Sequence, residues 1–224
     1  MLTVLFLTYG IGEGHCRHAH DGIMVLLLSS VDATHSRTSD LSIHAFANID
    51  SALDVFAADR TGKADFALES AGGTVVSTRC TRTYDSSITS FPIFSAMLQP
   101  NTHLGECWCF HGSQGQAIIR LAARVHVTGV SLEHVSKLVA LSGRIDSAPL
   151  HGLVLIFAED GEVLGSFVYD INAKPVQYFP IKPRPNGQPT RFIELAVNSN
   201  HGHPAYTCIY RLRVHGNMAE DDQN

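Results

Sequence analysis

The sequence predicts an all-β domain, an antiparallel β-sandwich, preceded by a short amphipathic α-helix. Three observations carry this. Residues 116–128 alternate in a two-residue period, with Ala117, Ile119, Leu121, Ala123, Val125 and Val127 on one side and Arg120, Arg124 and His126 on the other, the pattern of a half-buried antiparallel strand. From Tyr206 to His215 a second alternation sets Tyr206, Cys208, Tyr210, Leu212 and Val214 on one face and Thr207, Ile209, Arg211, Arg213 and His215 on the other, so an apolar row must be buried against something. Between and before them, short apolar runs separated by Gly, Pro, Asn and Asp recur at the spacing of a sandwich.

In chain order, residues 1–50 have a character of their own and remain unassigned. Their apolar runs, 1–12 and 22–30, fall short of the roughly 18 to 20 residues a membrane span needs. Cys16, His18 and His20 could ligate a metal, but with no partner cluster they are not expected to make a metal site. Residues 51–62 read as a helix: Ser51-Ala-Leu-Asp54 fits a capping box, Leu53, Phe56 and Ala57 share a face, and Gly62 is placed to end it. From Phe66 the chain reads as β-structure, with a turn at Gly72-Gly73 and a strand at 74–77. Residues 81–92 are polar and rich in Ser and Thr, an exposed excursion, and 101–105 is a further loop. Leu153 to Phe157 and Val163 to Tyr169 form a hairpin across Glu159-Asp160-Gly161, and 176–181 and 191–197 are strands. The domain then spans 63–218, and 219–224 is an acidic tail.

At 224 residues the chain holds one sizeable domain, or one domain plus an appendage. A net charge of −5 and a pI near 6.2 give no basic face for a phosphate backbone, so nucleic acid is not an expected partner. Five cysteines, Cys16, Cys80, Cys107, Cys109 and Cys208, are too few for a disulfide-dense mini-protein, and none form the Cys-x-x-Cys pair of a zinc ribbon. One or two bridges form in an oxidising lumen, whereas all five stay reduced in cytosol, and the residues alone leave that choice open.

The run Tyr206-Thr-Cys208-Ile-Tyr210-Arg-Leu-Arg-Val-His-Gly216, following Asn200-His-Gly-His-Pro204, resembles the end of a SUN domain, the lumenal module of nuclear-envelope bridging proteins. Four further stretches match that family in the same order: Ala64 to Cys80, Leu98-Gln-Pro100 with Gly105-Glu-Cys-Trp108, Gly115 through Leu132-Glu-His134, and Ser147-Ala-Pro149. Several ordered motifs at once are far harder to match by chance than one. The resemblance covers about residues 51 to 216. Family members carry a membrane span and a coiled coil ahead of the domain, so this chain is expected to be a fragment, a short isoform or the product of an unreliable gene start.

The resemblance implies a homotrimer with the helix at the end of its stalk, in the perinuclear space, that captures the C-terminal tail of a KASH protein and catalyses nothing. It implies a pocket for the peptide's free carboxylate lined by His134, Ser147, Tyr206 and Tyr210, the kind of donor-rimmed aromatic slot that terminus capture requires. By itself, a lone histidine at 134 reads as a satisfied core residue. Cys80 corresponds to a cysteine that in some relatives bridges to the bound peptide; an ordinary exposed thiol is the plainer reading. Cys107 and Cys208 correspond to a structural disulfide, for which loop-closure entropy alone predicts about 4 to 5 kcal/mol over a loop near 100 residues; Cys109 is expected to be a small buried hydrophobe. The loop from Asn101 is implied to hold a monovalent cation, K⁺ or Na⁺, through main-chain carbonyls. Between Cys80 and Leu98 relatives have a longer lid that pairs with the peptide as an added strand; here the segment is short, and Pro92 removes a donor, so that pairing is expected to be reduced.

Two readings from other classes compete. A carbohydrate-binding module shares the sandwich but needs an aromatic platform, and the only tryptophan, Trp108, lies inside the Cys-Trp motif. A cysteine hydrolase built on Cys80 needs a base and an orienting group, and no such signature surrounds it.

Overall fold

The structure, a computed structural model, describes residues 47–49, 51–56, 58–84, 94–157, 161–182 and 187–220. The chain divides into residues 1–57 and 58–224. In the first unit, residues 47–49 and 51–56 are helical. Leu53 and Phe56 are 58% and 65% exposed; Ala57 lies outside the described residues. The expected helix over 51–62 is corrected at its end. Residues 58–62 form turns instead, with Asp59, Arg60 and Gly62 all left-handed at φ 52°, 63° and 63°. The cause lies in the second unit, where the Asp59 carboxylate is drawn onto Arg213 and Arg211. Among the described residues no helix is long and apolar enough to cross a membrane.

The second unit is the β-domain. It holds nine strands among the described residues: β1 (Thr74–Ser77), β2 (Trp108–His111), β3 (Gly115–Glu133), β4 (Pro149–Ile156), β5 (Val163–Val168), β6 (Val176–Pro180), β7 (Thr190–Asn200), β8 (Tyr206–Ile209) and β9 (Arg211–Met218). All their pairings are antiparallel. The 19-residue β3 links the layers. Its first half runs between β1 and β7, which continues to β4 and β5; its second half runs between β6 and β9. Register slips between Arg120 and Val125 and between Val127 and Gly129 let one strand serve both layers, since irregular pairing bends and twists a strand. Gly129 is required at the second slip: a Cβ there would stand 2.3 Å from the Tyr178 hydroxyl, which donates to the Thr128 carbonyl at 3.1 Å.

The alternation in residues 116–128 sends Ala117, Ile119, Leu121 and Val125 into the main core, where they meet Ile193, Leu195, Leu212, Val214, Trp108 and Phe110. The expected hairpin is β4–β5, with residues 158–160 of its turn outside the described residues. The excursion expected at 81–92 is described only to Tyr84, so the lid expectation, including Pro92, also lies outside. In the tail, Ala219 is 4% exposed and its amide donates to the Arg124 carbonyl at 2.8 Å; residues 221–224 are outside.

One part of the core is ionic. Both faces of residues 211–215 of β9 are buried, and Arg211 and Arg213 are 0% and 1% exposed. Arg211 reaches Asp65 at 2.6 Å, and Arg213 reaches Asp59 at 2.7 Å and Glu133 at 2.8 Å. Arg60 also pairs with Glu133. Burial pushes the Asp59 carboxyl up, but Arg213 and then Arg211 outweigh it and hold it below its usual range. Burial wins at the more enclosed Asp65, raising it despite Arg211. Asp65 is also fixed from the backbone, accepting from the Val214 amide at 3.0 Å and the Ala67 amide at 2.9 Å. The network therefore ties the segment entering the domain to its last strand.

Candidate functional site

Beside the main core a second cluster gathers Cys107, Val135, Ile145, Cys208 and Tyr210, with Cys109, Ala140, Ile171 and Tyr206 packed on it. The elements that build it come from far apart in sequence. β8 pairs with β2 so that Cys208 stands opposite Cys109, and the Cys208 amide donates to the Ser147 carbonyl at 2.9 Å. That bond brings the Ser147 segment alongside the two tyrosines. The strand between them breaks at Tyr210, where β8 ends and β9 begins.

His134, just past the end of β3, is 3% exposed and meets Tyr210 edge to face, ring centroids 4.7 Å apart. Its Nδ1 lies 3.3 Å from the Val135 carbonyl. That carbonyl can only accept, so Nδ1 carries the proton and Nε2 presents a bare lone pair. Nε2 is buried without a hydrogen-bond partner among the described residues. Burial first, opposed by the Val135 carbonyl, lowers the His134 pKa from 6.5 to about 4, so the ring is neutral near pH 7.

This has a measurable consequence for stability. The folded pKa is depressed, so the unfolded chain takes up a proton that the folded chain refuses, and stability is lost as pH falls from 6.5 toward 4. Between pH 7 and pH 4.5 the ring is expected to remove about 2 to 3 kcal/mol. Urea midpoints for the wild type and His134→Asn at the two pH values measure it. The expected result is a smaller pH-induced loss in the variant; parallel losses would contradict it.

Tyr210 is 6% exposed, and its hydroxyl oxygen accepts the Gly105 amide at 3.3 Å. Burial first, then the neighbouring Cys107 thiol, pushes its pKa up to about 12, so the phenol stays protonated. Tyr206 is half-buried, with the His203 ring 3.9 Å away and the Tyr84 ring 4.8 Å away, centroid to centroid. The four residues singled out from the sequence thus converge: His134 and Tyr210 by ring contact, Tyr206 on the same cluster, Ser147 through its main chain. Sequence reasoning missed the open cavity of about 610 Å³ next to them, walled by Val135, Ile145, Tyr169, Ile171 and the Lys137 and Lys174 segments. Lys137 Nζ donates to Asn172 Oδ1 at 2.7 Å across it. Only the apolar spacing around Val135 and Ile145 could have signalled it.

The cysteines require a correction. The expected Cys107–Cys208 bridge is replaced by Cys109–Cys208, and Cys107 is a buried free thiol. The β2–β8 register explains this: Cys109 and Cys208 are directly opposed, whereas Cys107 precedes β2 in a bend. Cys109 is therefore a bridge partner and not a small hydrophobe. Cys107 Sγ nevertheless lies 3.4 Å from Cys109 Sγ, and burial pushes its thiol up to about 12. Cys80 is free and exposed; beside it the left-handed Arg79 pairs with buried Glu194 at 3.1 Å.

The loop from Asn101 to Glu106 is exposed for most of its length. Asn101 Oδ1 accepts the His103 amide at 3.1 Å, and the His103 and Gly105 carbonyls accept the Glu106 and Cys107 amides. The side chain thus shapes its own loop. Each of these carbonyls retains a second lone pair. Trp108 is 1% exposed and cannot serve as a sugar platform.

Residues 93–218 match the Sad1/UNC-like C-terminal family. This chain belongs to that family. The SUN domain-containing protein 1 of Homo sapiens is 40% identical over 187 residues, 77% of this chain and 24% of that protein. The nuclear migration and anchoring protein unc-84 of Caenorhabditis elegans is 39% identical over 181 residues, 72% of this chain and 16% of that protein. The chain thus spans a quarter or less of the length of these two relatives. Among solved structures, the family 32 carbohydrate-binding module of Streptococcus pneumoniae EndoD superposes with a TM-score of 0.52 at 14% identity, covering 69% of this chain and all of that one. At that identity the likeness concerns the sandwich alone. In this SUN domain the four residues singled out from the sequence sit on a sandwich scaffold, and the convergence of His134, Tyr206 and Tyr210 is the local feature to explain.

Proposed function

We propose that this chain is a non-enzymatic binding domain that captures the C-terminal tail of a KASH protein in the perinuclear space, joining nucleus to cytoskeleton at the nuclear envelope in a LINC-type assembly. The observation that carries the reading is the buried, unpartnered His134 Nε2 beside the protonated Tyr210 phenol. Leaving a polar atom unsatisfied in a core costs about 1 to 3 kcal/mol, and an arriving peptide would supply the missing partner. The relative unc-84, a nuclear migration and anchoring protein, supports the location. The neighbouring tyrosine hydroxyls suit a free carboxylate, and the apolar walls suit a proline-rich segment.

Three finer parts belong to the same reading. The domain assembles as a homotrimer, in which the exposed Leu53 and Phe56 face is covered by neighbouring chains; sedimentation at micromolar concentration should give a trimer, and a persistent monomer would contradict it. The Asn101 loop holds K⁺ or Na⁺ through carbonyl oxygens. The exposed Cys80 thiol forms a disulfide with a peptide cysteine, adding resistance to force more than initial affinity.

Tyr210→Phe and His134→Ala are each expected to weaken tail binding by about 1 to 3 kcal/mol, or about five- to 150-fold in Kd, without unfolding the domain. Calorimetry with a synthetic tail reads this directly. Unchanged affinity in both variants would move the binding site elsewhere.

A further inference from the structure

We propose that two-electron reduction of the Cys109–Cys208 bridge converts the Cys107, Cys109 and Cys208 cluster into a three-thiolate site for a thiophilic d¹⁰ cation of the zinc and cadmium class. The three sulfurs already lie within 4.8 Å of one another, and Cys107 Sγ is 3.4 Å from Cys109 Sγ. With metal–sulfur bonds near 2.3 Å, tetrahedral geometry separates thiolates by about 3.8 Å, so the cluster needs only a small outward shift once the S–S bond is broken. Two of the three sulfur-bearing residues are buried and the third is half-buried, which shields the site from competing water.

The scaffold holds the donors without the bridge. Cys109 and Cys208 are registered by the β2–β8 ladder, and Cys208 is tied to the Ser147 carbonyl by its amide. Cys107 projects onto the same side two residues before Cys109. Among the described residues this is the group of potential ligands that converges, and it offers sulfur only. Such a set selects soft cations over Mg²⁺ or Ca²⁺, which prefer oxygen. Tyr210 packs in the same cluster as Cys107 and Cys208.

The chemistry balances with a phosphine as reductant: phosphine, disulfide and water give phosphine oxide and two thiols. The cation then binds three thiolates and displaces three protons, because a bound dication deprotonates a coordinating thiol outright. The site is distinct from the peptide pocket in its donors and requires no peptide.

The test uses the full chain, reduced with a phosphine under argon and titrated with Cd²⁺ as the probe. Thiolate-to-cadmium charge-transfer absorption should saturate at one cation per chain. Cys107, Cys109 and Cys208 should be protected from alkylation while Cys80 is modified. Cys109→Ser should weaken binding at least about 100-fold, the upper cost of losing a mere supporting partner of a metal ligand, and Cys80→Ser should change nothing. Absence of the absorption, equal binding by Cys109→Ser, loss of binding in Cys80→Ser, or collapse of the β-sheet circular dichroism on reduction would each overturn the proposal.

Discussion

Replacing Arg213 with methionine is expected to lower the unfolding free energy by about 3 to 5 kcal/mol, because the change strands acidic partners in the interior. Arg213 is 1% exposed and holds Glu133, whose side chain is 2% exposed, at 2.8 Å, together with Asp59. The methionine fills much of the removed volume, so the loss reports charge and hydrogen bonding more than a cavity. Arg60 still reaches Glu133, but it is 44% exposed and screened by water, so it offsets little of the loss. Denaturant unfolding at neutral pH measures the effect. A loss under about 1 kcal/mol would mean that water enters the network and solvates it, against the burial described.

The second large effect is expected from Cys208→Ser. The bridge to Cys109 closes a sequence separation of 99 residues, and freeing it restores chain entropy to the unfolded state worth about 4 to 5 kcal/mol. Cys208 is the informative partner to remove, since any bond then formed between Cys107 and Cys109 closes no long loop. Peptide mapping without reduction should recover Cys109 linked to Cys208 in the wild type. A variant as stable as the wild type under non-reducing conditions, or a map lacking that linked pair, would contradict the pairing described.

Much of the fold was legible because strands declare themselves through period two. The alternation in residues 116–128 found the strand that carries the core, and Gly72-Gly73 marked a turn. That β3 continues to Glu133 and serves two layers was not legible, because both faces of residues 129–133 are buried and the alternation disappears. Nor could Arg211 and Arg213 be read as interior. Their acidic partners lie 80 or more residues away in sequence, and only the register of β3 against β9 brings Glu133 opposite Arg211.

The site was legible in a similar, uneven way. All four site residues, Tyr206, Tyr210, His134 and Ser147, came from resemblance; the alternation placed only the two tyrosines on one face, and tertiary contacts bring His134 and Ser147 to them. The disulfide was misassigned for a definite reason: positions 107 and 109 share a face, so the sequence offers two candidates for Cys208, and the β2–β8 register decides between them. The helix end was misplaced because Gly62 is a sound local stop signal that the longer-range pull on Asp59 overrides.

The most direct test of the account is calorimetric titration of residues 51–220 with one synthetic proline-rich KASH tail made in two forms, with a free C-terminal carboxylate and with a C-terminal amide. Saturable binding of the free acid, weakened at least about tenfold by amidation and weakened further by Tyr210→Phe, is the predicted result. Equal binding of acid and amide, or no binding of either, would contradict the assignment of the His134, Ser147, Tyr206 and Tyr210 pocket to a peptide terminus.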